Sequence, residues 1–544
     1  MDQSVQPPRK ILLVVTTGGF THAAPLLEIG RVLTSRGHTI EFATLEGQES
    51  WVQGKEEYGF ITKVYLLGPG PTDKQLEAHY RRSQAWDISK GLGPSMESKY
   101  MFDSFWPQTY HGLKRMMDSA ESRPNMIIAD FFVDAVKDIH VEYRLPIAVV
   151  WPNMPFLMLP CPYIPGQPGF QLDGTLTSET ASMWLRIKNE LVVVMGLGAI
   201  LKWMNWTKRM RRTNGVYKPP HRLEKPDYLV LVNSFFGLEI PRDLPPTCMP
   251  VGPLLSPAFT PLDEGYEAFL SGHQSVLYIS LGTHIIVSNQ DAVKIINGVA
   301  RLMQEQLIDG VIWAIGKDSR HDLDTNQTSD MKDSTIQLNE LINNKHPDWL
   351  FPFFAPQRAI LDHDSTKLYF THGGGSSANE ALYHGKPCIS MGFFFDQIAN
   401  TTRLVAAGVA ESLNKFHFTS DELYIKAKQI LQSNGDEDGH YKRNVIRMKR
   451  IAHVAAKRKD YAADLVEELM YDNELRFDDD GKELRPMHLQ TADMRMPAYK
   501  ANNWDLYAVS AMGGVVLVGS MWFAGRLAWM SRGNVVEGLR RILL

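Results

Sequence analysis

A succession of short apolar runs separated by amphipathic stretches leaves this chain few architectures. In the first half the runs are Ile11 to Thr16, Met126 to Ala129, Ile147 to Trp151 and Tyr228 to Val232; in the second they are Val276 to Ser280, Val311 to Ile315 and Leu368 to Thr371. Runs this short and this apolar read as strands buried on both faces, the mark of a parallel sheet covered by helices. Between the first strands, Pro25 to Arg36 places Leu26, Leu27, Ile29 and Leu33 at helical spacing, and the Arg36-Gly37-His38 turn leads into a further strand, Thr39 to Ala43. A Pro- and Gly-rich stretch, Val251 to Gly272, divides the two halves. At 544 residues the chain exceeds one ordinary core. The expected fold class is α/β, with two Rossmann-like domains facing each other across a cleft and ligands at the carboxyl ends of the strands.

The most specific chemistry lies between Phe354 and Asn400. A strand, Leu368 to Thr371, runs through His372 and Gly373-Gly374-Gly375 into Ser376, Ser377 and a helix-like AxEALYHG. Glycines permit positive φ and a close approach of ligand to main chain. Ser376 or Ser377 is the expected N-cap, and the open amides and dipole of a helix start attract an anion. A diphosphate fits there, with His372 as an extra donor. Glu380, about one turn into the helix, can accept from the two hydroxyls of an attached ribose. Phe354 offers a flat face on which a base can stack. The glycines match neither GxxxxGK[ST] nor GxGxxG, and taken alone they fit an ordinary glycine-rich turn equally well.

The whole segment resembles the signature of family 1 UDP-glycosyltransferases. Its positions are Phe354, Pro356, Gln357, His363, His372, Gly374, Glu380, Gly385, Pro387, Asp396, Gln397 and Asn400, matched without a gap. The resemblance implies that Phe354 stacks on uracil, and that His372 with Ser376 and Ser377 holds the diphosphate. It also implies that Glu380 holds the ribose and that Asp396 and Gln397 hold sugar hydroxyls. Gly282 and Thr283, in YISLGT, resemble the family's Gly-Ser that touches the phosphates, although a simple turn explains them nearly as well. Phe354 departs from the usual Trp, and Gly375-Ser376 stands where plant members carry Trp-Asn, so the chain resembles non-plant, fungal-like members.

The implied fold is GT-B. The expected organisation is an acceptor-binding domain at 1–252, a linker at 253–272 and a UDP-sugar-binding domain at 273–443. Helices crossing back to the first domain follow at 444–475, then a polar linker at 476–505, a transmembrane helix at 506–525 and a basic tail at 526–544.

Transfer of a sugar to an alcohol needs a base for the hydroxyl and stabilisation of the departing diphosphate. His22 stands in TTGGFTHAAP, in the loop expected after the first strand, and an imidazole titrates close to working pH. Asp130 follows Met126 to Ala129 and can orient that imidazole. In the family a His and an Asp at such positions form a catalytic dyad. Asp134 is a weaker candidate for the partner, and His38 is expected to belong to the helix-to-strand turn. No metal or other cofactor is expected, because amides and a helix dipole occupy the role of a metal-binding Asp-x-Asp pair; the UDP-sugar is a co-substrate.

The net charge of −4 gives no bulk attraction to nucleic acid. Cys161, Cys248 and Cys388 have neither CxxC spacing nor metal-site company and read as reduced packing residues. The amino-terminal run is too short for a signal peptide, which places the catalytic domains in the cytosol. Leu506 to Gly525 carries no charge and is flanked by Trp504, Tyr507, Trp522 and Trp529, the pattern of a single-pass anchor; a buried helix is the alternative. Arg526, Arg532, Arg540 and Arg541 favour a cytosolic tail, in conflict with cytosolic catalytic domains unless the segment is a tail anchor or lies in the interface. A second apolar stretch, Leu191 to Leu201, precedes Lys208, Arg209, Arg211 and Arg212 and reads as a membrane-surface helix. The Asn400-Thr401-Thr402 sequon lies inside the signature.

Trp151 to Phe170, rich in aromatic, Met and Pro residues, suits a small hydrophobic acceptor such as a sterol, another lipid or a phenol. The expected function is therefore inverting transfer of a hexosyl group, glucose-like, from UDP to a hydroxyl of such an acceptor. The alternatives are N-acetylglucosaminyl transfer to a lipid carrier and a non-catalytic nucleotide-sugar-binding partner.

Overall fold

The computed structural model describes residues 5–87, 96–155, 182–219, 225–324, 328–330, 335–435 and 439–544. The expected acceptor segment therefore lies outside the described residues from 156 to 170, as does Cys161. Two units separate, Met1–His488 and Leu489–Leu544.

The first unit holds two parallel sheets. In the amino-terminal one, β1 (Lys10–Val14), β2 (Thr39–Thr44), β3 (Ile61–Leu66), β4 (Met126–Asp130), β5 (Ile147–Trp151), β6 (Leu229–Val232) and β7 (Cys248–Pro250) lie in the order β3-β2-β1-β4-β5-β6-β7. The second is built from β8 (Val276–Ser280), β9 (Gly310–Ala314), β12 (Trp349–Leu350), β13 (Thr366–Thr371), β14 (Cys388–Ser390) and β15 (Ala410–Ser412), ordered β12-β9-β8-β13-β14-β15. A small antiparallel hairpin, β10 (Thr328–Asp330) with β11 (Thr335–Gln337), stands apart from it. Each order reverses direction once, between β1 and β4 and between β8 and β13. At such a switch point the loops leaving two neighbouring strands diverge to opposite faces and open a crevice. In register, Val14 pairs with Ala129 and Thr371 with Ser280, so the loops that leave each pair emerge level with one another.

Burial accounts for the strand sequences. Ile11, Leu12, Leu13 and Val14 are fully buried, as are Leu368, Tyr369 and Phe370, because helices cover both faces of each sheet. The boundaries differ slightly from those expected: the first strand begins at Lys10 and ends at Val14, and the first helix runs Phe20–Ser35, starting well before Pro25. Pro25 lies inside this helix, in its second turn, and lacks the N–H that would otherwise donate to the Thr21 carbonyl. His22 consequently stands on a helix rather than in a loop.

The halves of this unit are wired together near the crevice. Arg403 donates to Glu239 at 3.1 Å, an ion pair with side chains only 2% and 0% exposed, and Glu239 also accepts from the Met154 amide at 3.0 Å. Asn379 donates to the Asn233 carbonyl at 2.8 Å. The helix Lys459–Leu475 packs on the first helix, where Glu467 meets His38 at 2.9 Å. His38 is thus buried against this distant helix as well as lying in its turn.

Cys248 and Cys388 are fully buried. Arg211, expected in a solvated basic cluster, is instead 3% exposed and ion-paired to Asp138, so of that cluster Lys208, Arg209 and Arg212 are the exposed cations at the end of the helix Met183–Thr213. The same helix leaves Trp184, Ile187, Leu191, Val194 and Leu201 exposed along its length.

In the second unit one helix, Trp504–Ile542, contains a segment, Trp504–Arg532, long and apolar enough to cross a membrane. Its 29 residues extend roughly 43 Å at ~1.5 Å per residue, more than the ~30 Å of a hydrocarbon core.

Candidate functional site

After β1 the backbone takes positive φ at Gly18 (90°) and Gly19 (82°), and Gly19 caps the first helix. A Cβ on Gly18 would stand 2.5 Å from the His22 ring, so only glycine lets the imidazole fold back over the strand end. Asp130 closes β4, one strand across the switch point. Its Oδ2 meets His22 Nδ1 at 2.8 Å, and its Oδ1 accepts from the Phe132 amide at 3.0 Å. Phe131 and Phe132 stack near the imidazole, with centroids 5.7 and 5.1 Å away. Asp130 is 2% exposed, and with Nδ1 engaged by its carboxylate, Nε2 is the ring nitrogen left for a substrate.

Burial works to lower the His22 pKa, but the charge and hydrogen bond of Asp130, with a further push from Asp396, carry it above the ordinary 6.5. Asp134, the other candidate partner, is committed elsewhere: it bridges Lys99 at 2.6 Å and Lys137 at 2.7 Å.

Across the crevice, β13 delivers His372 and the glycines. Only Gly373 takes positive φ (75°), where a Cβ would lie 2.7 Å from Thr401 Oγ1 and 2.9 Å from the Gln397 carbonyl. Gly374 lies in an ordinary region at φ −58° and is itself the N-cap of the helix Gly375–His384. Neither Ser376 nor Ser377 caps it; both sit inside the first turn, because the cap falls two residues before Ser376, where the Gly374 carbonyl accepts from the Ala378 amide. The Gly375 amide is taken by Asp396 at 3.2 Å, and the amides of Ser376 and Ser377 precede the first intrahelical bond and have no acceptor among the described residues. Gly375 also lies against the other domain, where a Cβ would stand 3.3 Å from the Pro152 carbonyl, a tight approach.

Gly282 (φ 81°) and Gly374 pack on either side of His372, each too close for a Cβ, at 2.7 and 2.5 Å from its ring. Burial pushes the His372 imidazole down to about 4, so it meets a ligand neutral. Gln357 donates to Glu380 at 2.6 Å while its carbonyl accepts from the hydroxyls of Tyr278 and Tyr369 at 3.3 and 3.1 Å. Glu380 is thereby aimed by a four-residue network, and burial, against the pull of Gln357 and Arg358, holds its pKa above the usual range.

Asp396 opens the helix Asp396–Ala406 and accepts from Gly375 and from Asn400, both at 3.2 Å. Burial raises its pKa, opposed first by the His22 charge, which puts the two residues within electrostatic reach across the crevice. Phe395, just before it, holds φ 50° with an aromatic side chain, a strained conformation of the kind that collects at ligand sites. Gln397 is less available: its carbonyl is turned to the amides of Phe393 and Phe394 at 3.1 and 3.3 Å, leaving only its NH2 for a sugar. Asn400 is 1% exposed with its amide on Asp396, so the sequon is closed to modification in the folded chain.

Phe354 is 77% exposed, its ring open to a partner, and Thr283 is likewise exposed. A residue that sequence reasoning passed over, His284, stands directly after Thr283 and stacks on Tyr80 of the helix Asp73–Gln84, centroids 4.3 Å apart and planes 13° from parallel.

Set against known proteins, residues 186–472 match the family described as UDP-glucoronosyl and UDP-glucosyl transferase. The chain is 41% identical over 529 residues to UDP-glycosyltransferase FPY2 of Fusarium mangiferae, covering 92% of this chain and 95% of that one. It is 43% identical over 511 residues to a UDP-glycosyltransferase of Talaromyces amestolkiae, covering 92% and 94%. Among solved structures, a UDP-glucosyltransferase of Polygonum tinctorium superposes with a TM-score of 0.56 at 18% identity, over 86% of this chain and 100% of that one. The likeness in fold, two facing Rossmann-type domains, is that of the GT-B glycosyltransferases.

Proposed function

Because the chain belongs to the UDP-glucoronosyl and UDP-glucosyl transferase family, and is an enzyme whose donor is a UDP-sugar, we propose that it moves a hexosyl group, glucose-like, onto the hydroxyl of a small lipophilic acceptor with inversion. The observation that carries this reading is the His22–Asp130 pair at 2.8 Å, set opposite the open amides of Ser376 and Ser377.

The acceptor hydroxyl gives its proton to His22 Nε2 as its oxygen attacks the anomeric carbon. The bond from that carbon to the diphosphate breaks, and its electron pair leaves with UDP. Asp130 keeps the ring in the tautomer with Nδ1 protonated and stabilises the imidazolium that forms. Negative charge on the departing diphosphate meets the helix start and the neutral His372. Glu380, aimed by Gln357, takes the ribose hydroxyls, Phe354 stacks on the base, and Asp396 takes a hydroxyl of the sugar. A single displacement from the opposite face inverts the anomeric centre. On this reading no metal takes part, since amides and a helix dipole meet the charge.

A panel of UDP-sugars against hydrophobic alcohols and phenols, read by product mass and by the anomeric coupling of the product, tests the proposal. A β-linked product from an α-configured UDP-hexose is expected; a retained α-linkage would remove His22 from the role of base in a single displacement.

The acceptor reading rests on the aromatic environment beside His22, where Trp151 stacks on Phe131 at 4.4 Å, and on the apolar helices that would bring the enzyme to a membrane. Single-pass anchoring by Trp504–Arg532, with the catalytic unit on the cytosolic side, is part of the same proposal. Deleting Asp505 to Leu544 is expected to move the protein from the membrane pellet to the soluble fraction. Retention in the pellet would transfer the role to the exposed apolar stripe and basic end of Met183–Thr213.

A further inference from the structure

His22 and His372 both have assigned work, but the crevice holds a third imidazole. His284 belongs to the loop that leaves β8, two residues beyond Gly282, and so stands beside the ring of His372. It also stands beside the other domain: a Cβ on Gly19 would lie 3.3 Å from its Nε2. The ring therefore occupies the space between the helix start expected to hold the phosphates and the helix that carries the base. It is far from loose. Tyr80 stacks on it, and one turn further along the same helix Gln84 grips the loop by both main-chain groups of Ile286, donating to its carbonyl at 2.9 Å and accepting from its amide at 2.8 Å. Among the described residues, neither ring nitrogen of His284 has a protein hydrogen-bond partner.

An imidazole fixed in plane by stacking, half-buried and with no protein hydrogen-bond partner among the described residues is arranged to meet something that is not protein. Two roles are chemically open, base or donor. Among the described residues no carboxylate pairs with His284, in contrast to His22, and burial together with the neighbouring His22, His372 and His79 pushes it down to about 3. So weak a base takes no proton from an alcohol, whereas its neutral N–H remains a competent donor.

We propose that His284 is a substrate-touching residue that donates a hydrogen bond to a diphosphate oxygen of the UDP-sugar, its ring plane set by Tyr80. The group would stabilise the charge that develops as the glycosidic bond to the diphosphate breaks. Since Tyr80 and Gln84 come from the opposite domain, the ring is fixed in this plane by the contact between the two halves.

The inference rests on the donor site assigned above, and the test separates the two. UDP and uridine are titrated calorimetrically into the full chain and into His284→Ala and His284→Gln. For His284→Ala, UDP is expected to bind about tenfold more weakly, the scale of one hydrogen bond to a charged group, while uridine changes less than twofold. His284→Gln, which keeps an N–H donor, is expected to recover most of the UDP affinity. An unchanged UDP affinity in His284→Ala, or an equal loss for UDP and uridine, would overturn the assignment while leaving the donor site in place. Failure of the unsubstituted chain to bind UDP would overturn both.

Discussion

Replacing His22 by alanine is expected to lower kcat about 10³-fold, within the range set by removal of a general base, while the affinity for UDP stays within about twofold. Among the described residues the ring makes one polar contact, through Nδ1 to Asp130, and Nε2 is the nitrogen left for the acceptor hydroxyl. Its loss removes the acceptor for the hydroxyl proton and leaves the machinery that holds the nucleotide. Turnover with the natural and the substituted chain, together with UDP titration, checks this. Turnover within tenfold of the original would assign deprotonation to another group, and a parallel collapse of UDP affinity would mean that His22 holds the domain architecture instead.

Asp130→Asn is the second large effect. An amide at this position can present either its oxygen or its NH2 to His22 Nδ1. In the latter case the ring is fixed in the tautomer with the proton on Nε2, where it cannot act as a base. Loss of the carboxylate charge also leaves the imidazolium unsupported in a buried setting. A fall in kcat of roughly 10² to 10⁴ is expected. The pH profile supplies a separate signature. His22 acts only when neutral, so activity rises with pH through its pKa, and in the unsubstituted chain Asp130 holds that pKa above 6.5 against the effect of burial. In the Asp130→Asn chain burial prevails, and the acid limb of the residual activity is expected at lower pH. An acid limb that stays in place would detach it from His22.

These expectations differ in how far they were legible before folding. The strands were readable because burial on both faces demands an unbroken apolar run, and Ile11 to Val14 and Leu368 to Phe370 are fully buried as that demands. The start of the first helix was not, because its extension back to Phe20 depends on positive φ at Gly18 and Gly19, a conformation that the glycines allow but do not require. The N-cap of Gly375–His384 shifted for a similar reason. Serine side chains favour that position, yet Gly373 must sit where only glycine fits against Thr401 and Gln397, and this sets the phase of the turn. Arg211 looked like one more exposed cation, since nothing near it in the chain announces Asp138 as its partner.

The chain order of apolar runs, turns and the Phe354–Asn400 signature was sufficient to determine two parallel αβ domains, the family and the donor, because local propensity and a contiguous motif are both written in one dimension. Contacts between distant segments were decided only in three dimensions. The pairing of His22 with Asp130 depends on the switch point of the first sheet, the aiming of Glu380 by Gln357 on the packing of the second, and the stacking of His284 on Tyr80 on the meeting of the two halves. Distances of a few ångströms between residues far apart in the chain follow from packing and register, and no single stretch of sequence carries them.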